Sequence, residues 1–433
     1  MKILIQGGRV MNPATGFDEV CDLAIAAGRI VAIGHAGIDF APNKTIDATG
    51  CVVAPGLVDL AARLREPGYE HASMLQSELA AAVAGGVTSL VCMPDTDPVL
   101  DEPGLVEMLK FRAEKLHQSH VFPLGALTVN LKGEVLTEMV GLAEAGCVGF
   151  SQAEVPLGNT QVLQRALQYA STFGYTIWLR PQDMHLGKGV AASGALATRM
   201  GLSGVPVAAE TIALHTIFEL MKSTNAKVHI CRISSAAGVA LVRQAKAEGL
   251  QVSCDVSINS LHLTDVDLGY FDSRARLNPP LRQQRDRDAL RAALLDGTID
   301  ALVSDHTPVD EDAKTLPFAE AEAGATGLEL LLSLALKWQS ESSDKSLTLA
   351  QTLATVTSQP AKVLSANLPV ANASLGQLVE GGAADICIFD PKAMWVVGDD
   401  TLRSQGKHTP FSGYELPGQV RATLVSGHVA FER

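Results

Sequence analysis

The sequence predicts an α/β protein in which a (β/α)8 TIM-type barrel is joined to a small β domain built from both chain termini. The middle of the chain alternates short apolar runs with helical patterns, and eight such runs occur there. The two ends lack the helical patterns and contain short apolar runs separated by glycines. We therefore expect residues 1–50 to form the N-terminal part of the β domain, residues 51–365 the barrel, and residues 366–433 the C-terminal part of the β domain.

The barrel strands are predicted from runs rich in Val, Ile, Leu or Cys that do not alternate strictly, as expected for strands covered on both faces. In chain order these runs are Cys51–Asp59, Thr88–Pro94, His120–Leu127, Cys147–Ser151, Tyr175–Leu179, Lys227–Ile233, Gln251–Ser257 and Ile299–Ser304. Apolar spacings of three and four residues predict helices at Met74–Ala84, Val106–Leu116, Val162–Tyr169, Ile212–Met221, Leu241–Ala247 and Arg287–Leu295. Such a barrel carries its active site at the carboxyl ends of its strands.

The β domain is predicted from shorter apolar runs near both ends of the chain. They are Ile3–Ile5, Cys21–Ile25, Ile30–Ile33, Asp385–Phe389 and Ala422–Val425. Gly427 is typical of a turn that follows the last of these runs. Two β segments that flank one barrel are expected to pack together as a single domain.

The composition excludes several classes of function. Apolar residues make up 47% of the 433 residues, and 47 acidic against 34 basic side chains give a formal net charge of -13. Such a chain repels a phosphate backbone, so we expect no nucleic-acid partner. The longest apolar stretch, Gly327–Trp338, is too short to span a bilayer, so we expect no membrane partner. Seven widely spaced cysteines without a CxxC pair indicate a reducing compartment, and we expect a soluble cytoplasmic protein.

A series of short motifs gives the chain a more specific resemblance. The motifs are Pro55–Asp59, Leu64–Gly68, Val91–Pro94, Asn278–Arg282, Ser304–Pro308, Thr326–Glu329 and Thr409–Gly413. In these motifs, over essentially its full length, the sequence resembles dihydroorotase, a metal-dependent amidohydrolase. The resemblance implies the same fold, a barrel with a β domain made from both termini.

The resemblance also implies a zinc site, in which histidines and carboxylates at the strand ends activate a water molecule. The family's ligand positions fall on Ala61, Arg63, Gln152 or Ala153, Arg180, Arg232 and Asp305. Only Asp305 keeps a ligand side chain. A guanidinium has no lone pair to donate and repels a divalent cation, and alanine offers no ligand. We therefore predict that the chain needs no zinc or other cofactor and is not an enzyme but a catalytically inactive homologue, a pseudoenzyme.

The residues that hold the substrate in dihydroorotases are only partly retained. Arg65 and Asn278 match the family's arginine and asparagine. Asp95 replaces an asparagine with a carboxylate that would repel a substrate carboxylate, and Val309 replaces a histidine. We interpret these four positions as vestiges of a substrate site, and we expect Arg65 to form a structural ion pair with Glu66 or Asp95.

Arginines at former ligand positions suggest that paired charges fill the site. The predicted set is Arg63, Arg180 and Arg232 converging on Asp305, joined by Glu154 or Asp95. In the alternative, each guanidinium turns to solvent and stays unpaired. We interpret His229 and His306 as hydrogen-bonded core residues, with a relocated zinc site as the alternative.

Three functions remain open at this point. The first is a non-catalytic subunit, because the sequence looks like the degenerate dihydroorotase homologues that assemble with aspartate carbamoyltransferase in bacterial pyrimidine biosynthesis. The resemblance then implies a homo-oligomer within a larger hetero-oligomer. The second is an amidohydrolase with altered, metal-free or mononuclear chemistry that uses Asp305 as general base. The third is an anion-sensing regulatory module built on Arg63, Arg65, Arg180 and Arg232.

Overall fold

The structure is a computed structural model, and it describes residues 1–34, 40–342, 347–365, 368 and 373–433. Its strands are β1 Lys2–Asn12, β2 Phe17–Ala26, β3 Arg29–Gly34, β4 Lys44–Asp47, β5 Val52–Pro55, β6 Leu57–Ala62, β7 Val87–Cys92, β8 His120–Pro123, β9 Gly125–Ala126, β10 Phe150–Ser151, β11 Thr176–Leu179, β12 Ala191–Ala192, β13 Gly204–Val205, β14 Lys227–Ile230, β15 Val252–Ser257, β16 Ala301–Val303, β17 Ile386–Val396, β18 Glu415–Val425 and β19 His428–Glu432.

The helices lie mainly between the strands in the middle of the chain. They are α1 Leu75–Ala84, α2 Pro103–Lys115, α3 Met139–Glu144, α4 Thr160–Phe173, α5 Ala195–Met200, α6 Ala208–Thr224, α7 Ala236–Ala247, α8 Ile258–His262, α9 Gln284–Leu295, α10 Leu331–Glu341, α11 Leu349–Ala354 and α12 Ser358–Ser365. Single 3-10 turns lie at Val129–Leu131, Asp265–Leu268, Ser273–Ala275, Asp312–Lys314 and Leu328–Leu330. Within the described residues, no helix combines the length and the apolar character that a membrane crossing requires.

Strands from both chain ends form one eight-stranded sheet, the terminal sheet. Its order is β19-β18-β17-β5-β1-β2-β3, with β4 also paired to β1. The two chain ends meet where β17 runs antiparallel to β5, with Ile386 opposite Pro55. Ser426 and Gly427, both with positive φ, form the turn between β18 and β19, as a tight hairpin requires.

The middle of the chain forms parallel strands separated by helices, which confirms the α/β prediction. The two larger parallel sheets have the orders β6-β7-β8 and β16-β15-β14-β11-β10-β9, and β12 pairs with β13 in a separate two-stranded parallel sheet. The interior side chains of successive strands share one apolar cluster, which includes Val58, Leu60, Val91, Trp178 and Val303. Because parallel strands end at the same edge, their carboxyl ends bring residues from distant parts of the sequence together.

The first predicted barrel strand, Cys51–Asp59, differs from the structure because the chain divides it at Gly56. The segment before this glycine, β5, pairs with β1 and β17 in the terminal sheet, whereas the segment after it, β6, pairs with β7. Both segments are completely buried, so their apolar pattern does not separate them. The other predicted boundary, at residue 366, lies outside the described residues.

The six predicted helices are all present, but the sequence analysis predicts none of α3, α5, α8, α10, α11 and α12, of which α10 is the longest. Seven of its eleven residues are buried, including Leu331, Leu334 and Trp338. A helix buried on most of its surface lacks the polar stripe from which the others are recognised. Its Ser333 contacts the terminal sheet, where the hydroxyl donates to Gly418 O at 2.9 Å.

Candidate functional site

The predicted site residues come together at the carboxyl ends of the parallel strands. Arg63 follows β6, Arg180 follows β11, Arg232 lies two residues beyond β14, and Asp305 lies two residues beyond β16. Arg63, Arg232 and Asp305 are buried, and only 6% of the Arg180 side chain is exposed. The strand order therefore assembles one cluster of charges from four separate segments.

Several positions at these strand ends adopt a left-handed backbone conformation. The φ angle is 62° at Arg65, 50° at Ala153, 54° at Arg232 and 51° at Asp305. Non-glycine residues rarely adopt this conformation, and such residues cluster at functional sites. Because the chain turns sharply there, the alternation of a regular strand no longer predicts where the next side chain points.

Glu154 is the central carboxylate of the cluster. Its Oε1 lies 2.7 Å from Arg63 Nη2 and also accepts a hydrogen bond from Arg232. Its Oε2 lies 2.9 Å from Arg180 Nε, a close ion pair without hydrogen-bond alignment. Asn278 Nδ2 donates to the same oxygen at 2.8 Å. A single carboxylate thus contacts three guanidinium groups.

Two further carboxylates complete the pairing. Asp95 Oδ2 lies 2.8 Å from Arg63 Nε, and Asp305 Oδ1 lies 2.9 Å from Arg232 Nη1. The cluster therefore contains equal numbers of cationic and anionic groups. We call these six residues the arginine network: Arg63, Arg180, Arg232, Asp95, Glu154 and Asp305.

The pKa shifts agree with this pairing. Burial alone would raise the pKa of Glu154, but the attraction of Arg232, Arg180 and Arg63 holds it well below its usual range. Burial raises the pKa of Asp305, and the nearby Arg232 only partly offsets that effect. Burial would lower the pKa of Arg232, but Glu154 and Asp305 raise it well above its usual value. Glu154 and Arg232 are therefore charged at neutral pH.

The structure supports the predicted convergence of arginines but changes its centre. The three guanidinium groups are buried and paired with carboxylates, which contradicts the alternative of unpaired, solvent-facing arginines. They meet at Glu154 rather than at Asp305, which contacts only Arg232. Glu154 directly follows the left-handed Ala153, and this turn brings the glutamate into the cluster.

Arg65 pairs with a different residue from those predicted. Its Nη2 lies 3.2 Å from Glu322 Oε1, and its Nε donates to Pro308 O at 2.8 Å. Neither Glu66 nor Asp95 is its partner: Glu66 contacts Arg112, and Asp95 contacts Arg63. The partner comes from a loop more than 250 residues away in sequence, so local sequence could not identify it.

The remaining vestigial positions contribute little free polar surface. Asn278 bridges the network, since its amide oxygen accepts from Arg180 Nη1 at 3.0 Å while its nitrogen donates to Glu154. Val309 is buried. A cavity of about 160 Å³ lies beside these groups and is lined by charged residues that already face one another. An anion from solution would have to compete with a carboxylate already in place, which disfavours the anion-sensing function.

The other predicted ligand positions are absorbed into the fold. Ala61 and Ala153 are buried in apolar clusters. The Gln152 amide accepts from Thr128 Oγ1 at 2.9 Å and donates to Leu131 O at 2.6 Å. Its polar atoms therefore hold a neighbouring loop.

The two strand histidines are both buried and hydrogen-bonded. His306 Nδ1 accepts from Gly327 N at 3.1 Å, so its Nε2 donates to Glu78 at 2.7 Å. His229 Nδ1 lies 2.8 Å from Ser253 Oγ, and its Nε2 lies 2.8 Å from Asp255 Oδ2. Both arrangements match the interpretation as core residues.

Comparisons with known proteins place this fold and site in a family. A model described as amidohydrolase family matches residues 189–430, and a model described as dihydro-orotase-like matches residues 50–237. The chain belongs to the amidohydrolase family. Within that family it is dihydroorotase-like.

The chain is 45% identical over 430 residues to a dihydroorotase-like protein of Pseudomonas putida, with 99% of each chain covered. It is 39% identical to a dihydroorotase of Geobacter metallireducens, with 100% of each chain covered. The L-hydantoinase (dihydropyrimidinase) of Arthrobacter aurescens shares the fold, with a TM-score of 0.87 at 24% identity over 99% of this chain and 96% of that chain.

These comparisons contradict two of the predictions. The sequence predicts that the chain is not an enzyme and needs no zinc. However, several full-length relatives at 37–39% identity are named dihydroorotase, and similar solved structures are hydantoinases. Both predictions are therefore wrong: the relatives are enzymes, and members of this family typically depend on zinc.

Zinc does not fit the side chains at the family's six ligand positions, which are Ala61, Arg63, Gln152 or Ala153, Arg180, Arg232 and Asp305. Three are guanidinium groups, and the one retained carboxylate, Asp305, is paired with Arg232. The side chains present there give no support to a zinc-dependent step. Across the described residues, one other group of three candidate ligands lies close together: the ligand atoms of His229, Cys231 and Asp255 all lie within 4.8 Å of one another.

Proposed function

We propose that the chain is a dihydroorotase-like subunit that assembles with aspartate carbamoyltransferase and supports it in cytoplasmic pyrimidine biosynthesis. The arginine network is the observation that carries this proposal. The motifs that build the fold are kept, while the charges at the strand ends are matched within the chain. This arrangement favours a rigid scaffold at the strand ends, on which an outer surface can be held for a partner.

Assembly can be tested directly with the two purified full-length proteins from one organism. We expect the chain and the transferase to co-elute in gel filtration, and the transferase to gain activity or thermal stability in the complex. The transferase alone is the control. Separate elution, together with a fully active and stable isolated transferase, would contradict the proposal.

We also propose that the eight parallel strands close into the predicted barrel. Leu124 is the one residue between β8 and β9, and its N–H donates to Cys92 O at the end of β7. We therefore treat β8 and β9 as one continuous strand. At the other edge, Arg63 N donates to His306 O at 2.8 Å and His306 N donates to Ala61 O at 3.2 Å. These bonds support closure between β6 and the segment that follows β16.

The second candidate function is an amidohydrolase with altered, mononuclear chemistry. The buried group of His229, Cys231 and Asp255 favours it, because imidazole, thiolate and carboxylate are all zinc ligands. Its test is the zinc content of the wild-type chain and of Cys231→Ser, together with turnover of dihydroorotate and hydantoin. One zinc per chain that is lost in the variant supports this candidate. Zinc that stays bound in the variant places the metal elsewhere.

A further inference from the structure

Four exposed apolar side chains lie on two neighbouring segments of the strand-end loops, 264–276 and 310–324. Tyr270 is fully exposed, and Val266, Phe271 and Leu316 are 69%, 47% and 46% exposed. Tyrosines exposed in this way are enriched at protein interfaces, where they often contribute most of the binding energy. We call the exposed surface of these two segments the rim surface.

The two segments are held together by hydrogen bonds, so their exposed side chains belong to one surface. Lys314 Nζ donates to Ser273 O and to Arg276 O, both at 3.0 Å, and Gly324 N donates to Arg276 O at 3.1 Å. Burial lowers the pKa of Lys314 to about 7, so this lysine contributes little positive charge above neutral pH.

The rim surface is also continuous with the arginine network. Segment 264–276 leads directly into Asn278, which donates to Glu154. Segment 310–324 carries Glu322, which pairs with Arg65. The rim is therefore anchored to paired charges at the strand ends, and little conformational freedom remains to be lost on binding.

Carboxylates dominate the charge around these apolar side chains. The acidic residues are Asp265, Asp267, Asp272, Asp310, Glu311, Asp312, Glu320 and Glu322, and the basic residues are Arg274, Arg276 and Lys314. This charge selects among possible partners. A second copy meeting the same rim would bring like charges together, and nucleic acid or an anionic membrane would be repelled. The charge of the rim surface therefore favours, as its partner, a protein with an apolar recess bordered by lysine and arginine.

We propose that the rim surface is the docking site for the transferase, which inserts Tyr270 into an apolar recess bordered by basic side chains. This inference rests on the proposed function and assigns a surface to it. It also defines the chemistry expected on the partner: a basic patch facing the carboxylates of the rim.

The experiment measures the affinity of the full-length chain and its variants for the transferase. Tyr270→Ala removes a side chain that is fully exposed, so the variant is expected to keep the wild-type melting temperature. Val266→Lys places a positive charge within the acidic rim. Its matched control is Val20→Lys, which makes the same charge change at a valine that is 74% exposed on β2.

We expect Tyr270→Ala and Val266→Lys each to weaken binding by about tenfold or more, and Val20→Lys by less than about twofold. Association of the wild type should slow as salt concentration rises, because an acidic rim steers a basic partner. Wild-type affinity in both rim variants, or equal weakening by Val20→Lys, would overturn the rim assignment while leaving assembly intact. Failure of the wild type to bind the transferase at all would instead overturn the proposed function and the rim assignment with it.

Discussion

Glu154 neutralises three guanidinium groups that come from three different strand ends. Breaking a buried ion pair by removing one partner is much more costly than breaking a pair at the surface, because the remaining charge stays desolvated. We expect Glu154→Gln to lower the free energy of unfolding by about 3 kcal/mol, measured by chemical denaturation. Asp18→Asn, which breaks the exposed ion pair with Arg9, should cost less than about 1 kcal/mol. Equal losses in the two variants would show that the network is not a buried one.

The same residue predicts a specific acid dependence. The pKa of Glu154 is held below its ordinary value of 4.5, so the unfolded chain binds this proton more readily than the folded chain. The stabilisation is therefore complete above pH 4.5 and is lost as the pH falls below that value. We expect the stability difference between wild type and Glu154→Gln to narrow as the pH is lowered through this range. A difference that stays constant with pH would contradict the assignment.

Sequence reasoning identified the arginines of the network but not its centre. Arg63, Arg180 and Arg232 occupy recognisable positions in motifs, so their proximity follows from the strand order. Glu154 has no motif of its own, and its role depends on the left-handed turn at Ala153. Arg65 has the same difficulty, because its partner Glu322 lies on a distant loop.

At the scale of elements, Gly56 is the single residue between the terminal sheet and the first parallel strand. A Cβ atom at this position would clash with the buried side chain of Thr88. We expect Gly56→Ala to cost about 1–3 kcal/mol in unfolding free energy, because neither sheet can move away. Gly104→Ala is the control: a Cβ atom added at this glycine of α2 would meet no atom from outside the local helix backbone within 4 Å, so alanine should be neutral or stabilising. A neutral Gly56→Ala would show that the two sheets are not tightly joined there.

Many elements could be predicted from apolar periodicity, and two of the exceptions share one physical cause. Periodicity separates a buried face from an exposed face, so it carries no information where everything is buried. For this reason the sequence pattern runs β5 and β6 together and does not reveal α10. Only the inner halves of β17 and β18 match predicted runs, because in the outer halves exposed and less exposed residues alternate and no continuous apolar run forms.

At the scale of the whole molecule, the terminal sheet and the parallel strands share one core. Phe389 and Val420 of the terminal sheet belong to the same buried cluster as Leu79 and Val83 of α1. Thr423 Oγ1 also donates to Val83 O at 2.7 Å across this contact. A shared core of this kind favours unfolding in a single cooperative step.

The three tryptophans provide a test of this cooperativity. Trp178 lies among the parallel strands, whereas Trp395 lies on β17 and donates to Ser333 Oγ at 2.9 Å. We expect variants that keep only one of these tryptophans, with phenylalanine at the other two positions, to report the same denaturant midpoint as the far-ultraviolet circular dichroism of that variant. Fluorescence and circular dichroism midpoints that separate within a variant would contradict a common core.

The balanced charges at the strand ends also constrain how this site can change during evolution. Replacing any one arginine by histidine would leave a surplus carboxylate, and replacing Glu154 alone would leave surplus guanidinium groups. Substitutions at these positions are therefore epistatic: the effect of each depends on which of the others has already occurred. Relatives with histidines at these positions and relatives with arginines there should therefore differ by paired substitutions. Sequences that carry only one change of such a pair should be rare among relatives.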